Sequence, residues 1–399
     1  MDKTDFSGST PIKEEKLLFL ILAPSVNFRH FFLFFFMQTI QEYRINQLRS
    51  EFDKRKIDAL LVMHTPHVAY LSGFTGSSAI LVLTRSHAHF ITDGRYTEQA
   101  RQEVRIPNIT IHIDREWWKL IHEKNLPEDA QILGFEASYV SVAVAETMRK
   151  ILEGRTLQPL IGLLESVVMV KTRTEASAIR EAAEIAAKVY THVLRTAKAG
   201  MTENDIAAEV AYVSKKLGSE SEGFETIVAS GARGAQPHGR AGEKVIQHGE
   251  LVTLDFGCCR HGFYSDITRT FAVGEPSRFD RAIFELVLRA NEAAISAAKG
   301  GMKVGELDAV AREIIKEAGY GDDFTHGLGH GLGREVHEKP SVSYRFPDEI
   351  APVGAVITIE PGVYLAERCG VRIEDDVWLT ESGCQVLTDV VPKQLVVVE

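Results

Sequence analysis

Apolar residues recur at two spacings in the first third of the chain. Ile40, Ile45, Leu48 and Phe52 trace a helical stripe, and runs at 59–63, 79–84, 87–92 and 132–135 are rich in β-branched and apolar residues. The stripe predicts a helix and the runs predict strands. Helical stretches follow near 96–104, 116–124 and 140–152, so strands and helices alternate and imply an α/β domain with a mixed sheet. Residues 154–165 read as a linker. Beyond them, Thr174 is placed to cap a long helix that buries Ile179, Ala182, Ile185, Val189 and Val193 and ends at Gly200. Thr202-Glu-Asn-Asp205 opens the next helix in capping-box style and Gly218 closes it. A strand-like run at 226–229 follows, and further helices fall near 279–298 and 304–318.

The later pattern is written twice. Ala197-Lys-Ala-Gly-Met201 is echoed 101 residues on by Ala298-Lys-Gly-Gly-Met302, and Gly218 then meets Gly319. Gly249-Glu-Leu-Val-Thr-Leu-Asp-Phe-Gly257 meets Gly354-Ala-Val-Ile-Thr-Ile-Glu-Pro-Gly362 at an offset of 105, which sets Asp255 on Glu360. Each half supplies a second acid next, Asp266 and Glu374. A duplicated helix-plus-hairpin unit with two acids per half implies a pseudo-twofold site.

Asp255 and Glu360 each end a run that reads as a strand buried on both faces. A carboxylate there is costly unless a cation or strong hydrogen bonds meet it. With His330 in His326-Gly-Leu-Gly-His-Gly-Leu-Gly333, the set becomes four carboxylates and one imidazole. That set suits two hard divalent ions of the Mn or Co kind sharing bridging carboxylates and a hydroxide. Four carboxylates and a hydroxide carry five negative charges, which two dications nearly balance.

In order and context these five motifs resemble the pita-bread metallopeptidases, the family of aminopeptidase P, Xaa-Pro dipeptidase (prolidase) and methionine aminopeptidase. The resemblance runs from about residue 38 onward. It implies a creatinase-like α/β N-terminal domain over 38–153, on Phe74-Thr-Gly-Ser77 and Asp93-Gly-Arg-Tyr96, and an α+β pita-bread catalytic domain with internal pseudo-twofold duplication over 166–399. The implied metal ligands are Asp255, Asp266, His330, Glu360 and Glu374, holding two ions, Mn foremost with Co or Zn as alternatives. The resemblance makes Glu360 the carboxylate that manages the proton. It sets His238 facing the substrate across the metals, and His326 and His337 against the substrate carbonyl and the oxyanion, where an imidazolium would donate. Arg372, two residues before Glu374, is expected to orient the neighbouring carboxylates. Arg95 is expected only to pair with a local acid. The glycines of 327–333 lack the ending of a phosphate loop and are expected to let backbone approach the metal site.

Composition is that of an ordinary globular protein: 399 residues, 45% hydrophobic and 25% charged, with a net charge of −10. Such acidity argues against a nucleic-acid surface. Four cysteines without a Cys-x-x-Cys spacing form no evident disulfide framework and fit a reducing, cytoplasmic location. Residues 1–36 are atypical, with apolar runs at 17–23 and 31–36 interrupted by Arg29. Translation is expected to begin at Met37. The other reading is a weak secretory signal, which leaves secretion open, and no membrane span is expected.

The function expected is a dinuclear-metal aminopeptidase acting on peptides with proline second, without nucleic-acid or membrane partners, as a homodimer or higher homo-oligomer. Xaa-Pro dipeptidase is the alternative, and a non-catalytic pita-bread binding protein the more distant one. The turn pattern of 74–77 and 93–96 leans toward aminopeptidase P.

Overall fold

The computed structural model describes residues 40–399 apart from Arg105 and Asp129. The readings made for 1–36 fall outside the described residues. Residues 40–50 are helical and their apolar stripe is buried at Ile45 and Leu48. The six strands that follow are β1 (Ala59–Val62), β2 (Ala79–Thr84), β3 (Ala88–Thr92), β4 (Ile109–Ile113), β5 (Ile132–Glu136) and β6 (Thr156–Leu160). They form one mixed sheet in the order β4-β3-β2-β1-β5-β6, parallel at β1–β5, β3–β4 and β5–β6. Alternation sends Leu60, Val62, Leu81 and Leu83 into one core and Ala59, Leu61, Ile80 and Val82 into another on the opposite face. Helices therefore cover both faces of the sheet.

The stretch expected as a linker is not one. Residues 156–160 pair with β5 along its whole length, and the helix Leu163–Val168 packs Leu163, Leu164 and Val168 into the first core. Pro159 and the polar residues around it hid this strand, because an edge strand tolerates both. The edge strand β4, with only partial burial, escaped the pattern for the same reason.

The second half opens with helix α1 (Arg173–Thr196), capped by Thr172 rather than Thr174. Thr172 and Glu175 exchange backbone and side-chain hydrogen bonds as a capping box, which leaves Thr174 inside the first turn. Helices α2 (Glu203–Lys216), α3 (Arg278–Ala297) and α4 (Val304–Glu317) follow. The duplication is exact in register here, since α2 and α4 both begin and end 101 residues apart. Gly249 and Gly354, which precede the two matching strands, share φ values of 90° and 88°, a conformation that favours glycine.

Strands β7 (Ile227–Ser230), β8 (Glu250–Phe256), β9 (Cys259–Arg260), β10 (Phe263–Tyr264) and β11 (Ile267–Val273) come from the first repeat. The second contributes β12 (Gly329–Gly331), β13 (Glu338–Val342), β14 (Val356–Ile359), β15 (Gly362–Leu365), β16 (Cys369–Arg372), β17 (Asp375–Leu379) and β18 (Cys384–Val386), with β19 (Val397–Val398) at the end. A four-stranded sheet, β19-β11-β8-β7, packs α1 and α2 on Val252, Leu254 and Phe271. A five-stranded sheet, β13-β12-β14-β17-β18, packs α3 and α4 on Ile357, Ile359 and Val377. The sheets are stitched where 266–270 meets 372–376: Glu374 N–H donates to Thr268 O at 3.1 Å, and Asp266 N–H donates to Asp376 Oδ2 at 3.0 Å. The acids of the two repeats thus meet at the seam.

The glycines of 327–333 allow close backbone packing. A Cβ on Gly329 would lie 2.1 Å from Thr358 O, and one on Gly331 2.1 Å from Lys339 O, so these positions let β12 fit between its neighbours.

Candidate metal centre

Each expected ligand sits at or just beside the end of a strand. Asp255 is the penultimate residue of β8, Asp266 precedes β11, and His330 lies in β12. Glu360 follows β14, and Glu374 fills the step between β16 and β17. Strand ends are rigid anchors, and five of them converge.

Ligating atoms of Asp266, His330 and Glu374 all lie within 4.8 Å of one another. His330 Nε2 is 3.4 Å from Glu360 Oε1 and 3.8 Å from Asp266 Oδ2. Its other nitrogen, Nδ1, is 3.0 Å from Gly331 O and donates there, which leaves the Nε2 lone pair facing the acids. Asp255 joins through Arg372, whose Nη2 donates to Asp255 Oδ2 at 2.5 Å. Arg372 Nε donates to Thr268 Oγ1 at 3.0 Å, and Thr268 in turn donates to Glu374 Oε2 at 2.7 Å. Arg372 therefore lies among the carboxylates.

The acids are crowded and desolvated. Burial, then mutual repulsion with Asp255 and other acids, pushes the Asp266 and Glu374 carboxyls well above the usual range. Burial also raises Glu360, which His326 and Arg372 partly offset. Oδ1 of Asp255 and Oδ1 of Asp266 are buried without a hydrogen-bond partner. Orphaned buried oxygens are rare in proteins, and beside a free imidazole lone pair they fit a cation centre. Hard oxygen donors with one nitrogen are the donor set of divalent cations.

The other three histidines surround this cluster differently. His326 donates from Nδ1 to Gly327 O at 2.7 Å, and its Nε2 lies 2.8 Å from the Tyr364 hydroxyl. That hydroxyl accepts from Arg372 Nη1 at 3.0 Å, so the chain runs Arg372 to Tyr364 to His326. His337 lies against His330 with ring centroids 4.2 Å apart. Desolvation in the cleft, with His330 alongside, holds His337 down to about 4, and burial lowers His326 as well. Both shifts favour the neutral imidazole over the imidazolium. His238 is exposed, and the carbonyl of its neighbour Pro237 accepts from Arg372 Nη1 at 3.0 Å.

Sequence reasoning missed four residues that support these acids. Thr268 and Thr358 are each bonded to a glutamate, Thr358 Oγ1 donating to Glu360 Oε1 at 3.2 Å. Tyr364 links Arg372 to His326, and Asp376 anchors the Asp266 backbone. Thr268 lies two residues after Asp266 and Thr358 two before Glu360, a nearness to the acids that could have flagged them. Arg95, by contrast, pairs with Asp93 through Nε and Nη2 at 2.9 and 2.8 Å, as expected.

Among the described residues, no helix is long and apolar enough to cross a membrane. A profile of metallopeptidase family M24 matches residues 177–381, and that of the creatinase/prolidase N-terminal domain matches 44–170. The Xaa-Pro dipeptidase of Pyrococcus furiosus is 37% identical over 347 residues, 86% of this chain and 97% of that protein. A solved Xaa-Pro dipeptidase from Bacillus anthracis has a TM-score of 0.86 at 37% identity and covers 90% of this chain and 99% of its own. The X-Pro aminopeptidase structure from Thermotoga maritima has a TM-score of 0.81 at 37% identity, over 86% and 98%.

Proposed function

The chain belongs to metallopeptidase family M24, with the pita-bread fold and a creatinase-type N-terminal domain, and on that footing we propose that it hydrolyses Xaa-Pro bonds, dipeptides foremost. The observation that carries the hydrolytic reading is the convergence of three buried carboxylates, the half-buried Glu360 and the free His330 lone pair, with two carboxylate oxygens orphaned. The lean toward aminopeptidase P drawn from the turn motifs gives way to the dipeptidase reading, because two of the similar proteins that match nearly end to end are Xaa-Pro dipeptidases. The likeness to an X-Pro aminopeptidase supports the longer-peptide reading as the second one.

In this reading Asp255, Asp266, His330, Glu360 and Glu374 hold two divalent cations, Mn first because four of the five ligands are carboxylates. When bound, such a pair lowers the pKa of a shared water and supplies hydroxide near neutral pH. Glu360, already raised by burial and steered by the Thr358 hydroxyl, takes the proton released as the water oxygen bonds to the scissile carbonyl carbon. As the carbon–nitrogen bond breaks, that proton passes to the departing proline nitrogen. His337 meets the oxyanion as a donor, His326 gives its Nδ1 proton to Gly327 O and orients the Tyr364 hydroxyl through Nε2, and His238 faces the substrate from the rim. Arg372 holds Asp255 and Thr268 in place. An Xaa-Pro imide has no N–H to donate, so the site needs no acceptor there. The protein is read as a cytoplasmic homodimer.

Metal-loaded protein given Xaa-Pro dipeptides and Xaa-Pro-Yaa tripeptides side by side, with products read by mass, tests the preference. Faster dipeptide cleavage supports the proposal. Cleavage of tripeptides with little action on dipeptides restores the aminopeptidase reading.

A further inference from the structure

A second cluster of metal-type donors lies away from the carboxylates, where the N-terminal unit meets the segment that carries His337. His64 caps the helix Thr65–Ser72, His67 lies on it, and Glu335 reaches across from the loop between β12 and β13. Ligating atoms of these three residues all lie within 4.8 Å of one another.

The surroundings have the marks of a prepared site. Glu136 accepts from His67 Nδ1 at 2.5 Å, and its other oxygen accepts from the backbone N–H groups of Met63 and His64 at 2.6 and 3.0 Å. This carboxylate–imidazole contact fixes the His67 tautomer and leaves Nε2 with its lone pair, the usual support behind a metal-bound histidine. The His64 ring is stacked on Tyr139 at 3.7 Å between centroids, which sets its plane. Its Nε2 is buried and makes no hydrogen bond, although Glu335 Oε2 lies 2.9 Å away, because the approach lacks hydrogen-bond geometry. Two lone-pair atoms held close without a proton well placed between them is an arrangement that a shared cation relieves. Glu338 steadies the opposite wall by accepting from the backbone N–H groups of Arg334 and Glu335 at 2.6 and 3.1 Å.

We propose that His64, His67 and Glu335 form a further divalent-metal site of the zinc type, clamping the N-terminal unit to the His337 segment. Two imidazoles and one carboxylate are softer donors than the carboxylate centre and match a tetrahedral zinc ion with solvent as fourth ligand. The clamp would set the cleft wall two residues from His337.

The test uses the full-length protein, stripped of metal and dialysed against buffered Zn²⁺, with bound zinc counted by elemental mass spectrometry. Unaltered protein should hold one equivalent more than Glu335→Gln or His64→Asn, both conservative changes at partly exposed positions, and circular dichroism checks their fold. A second measurement needs no variant: carbethoxylation of His64, mapped by peptide mass, should fall severalfold when Zn²⁺ is added. Equal zinc counts in all three proteins, or His64 labelling that Zn²⁺ leaves unchanged, overturns the proposal.

Discussion

Arg372 Nη2 lies 2.5 Å from Asp255 Oδ2, joining the last strand of one repeat's hairpin to the acid of the other. Both side chains are almost fully buried. Breaking a buried pair on one side leaves an uncompensated charge, at about 3–5 kcal/mol. Arg372→Met should therefore lower the urea midpoint by a corresponding amount. Arg372→Lys should recover only part, because one ammonium cannot serve Asp255, Thr268, Pro237 and Tyr364 together. An Arg372→Met midpoint equal to that of the unaltered protein would contradict this.

Thr268 receives Arg372 Nε and gives its own proton to Glu374. Thr268→Val keeps the shape and β-branching of the strand and removes both bonds. Supporting residues of this kind change metal affinity by about 10–100-fold. Competition with a chelator should show such a loss of Mn²⁺ affinity with little change in melting temperature. Unchanged affinity would remove Thr268 from the centre.

Glu360 is assigned the proton, so its loss should act on turnover more than on binding. Glu360→Gln is expected to lower kcat by roughly 10²–10⁴-fold, the range of a general acid–base group. Calorimetry with a non-cleaved Xaa-Pro analogue should give a Kd within a few-fold of the original. Loss of binding in step with turnover would reassign Glu360 to holding the site together.

The raised carboxyls make stability depend on both pH and metal. Without metal, Asp266, Glu360 and Glu374 keep protons to higher pH in the folded chain than in the unfolded one. Between the unfolded pKa, about 4, and the raised folded values, the folded form binds more protons, so stability rises as pH falls. Bound cations reverse the sign, since protons then compete with metal. Urea midpoints at about pH 8 and about pH 5.5 should rise on acidification in chelator and fall with Mn²⁺. The same trend in both conditions would count against cations at these acids.

Much of this centre was legible because burial and charge conflict in the sequence itself. Asp255 and Glu360 stand at the ends of apolar runs, and the repeat sets them on each other. The supports were not legible in the same way. Thr268, Thr358 and Tyr364 are ordinary strand residues by propensity, and only the sheet register turns the threonine hydroxyls toward the acids and the tyrosine hydroxyl toward Arg372 and His326. In the N-terminal unit the central strands showed because both faces are apolar. The edge strands β4 and β6 did not, since partial burial leaves little pattern to read. At His337 and His326 desolvation works against the charged form, an effect of burial that sequence does not display.

The most direct measurement is hydrolysis of an Xaa-Pro dipeptide by metal-stripped protein titrated with Mn²⁺, with Asp255→Asn alongside. The account predicts no turnover without metal, activity rising to a plateau near two equivalents per chain, and a variant that stays far below it. Full activity in the stripped protein, or none with two equivalents bound and the fold intact, would contradict a metal-dependent Xaa-Pro hydrolase.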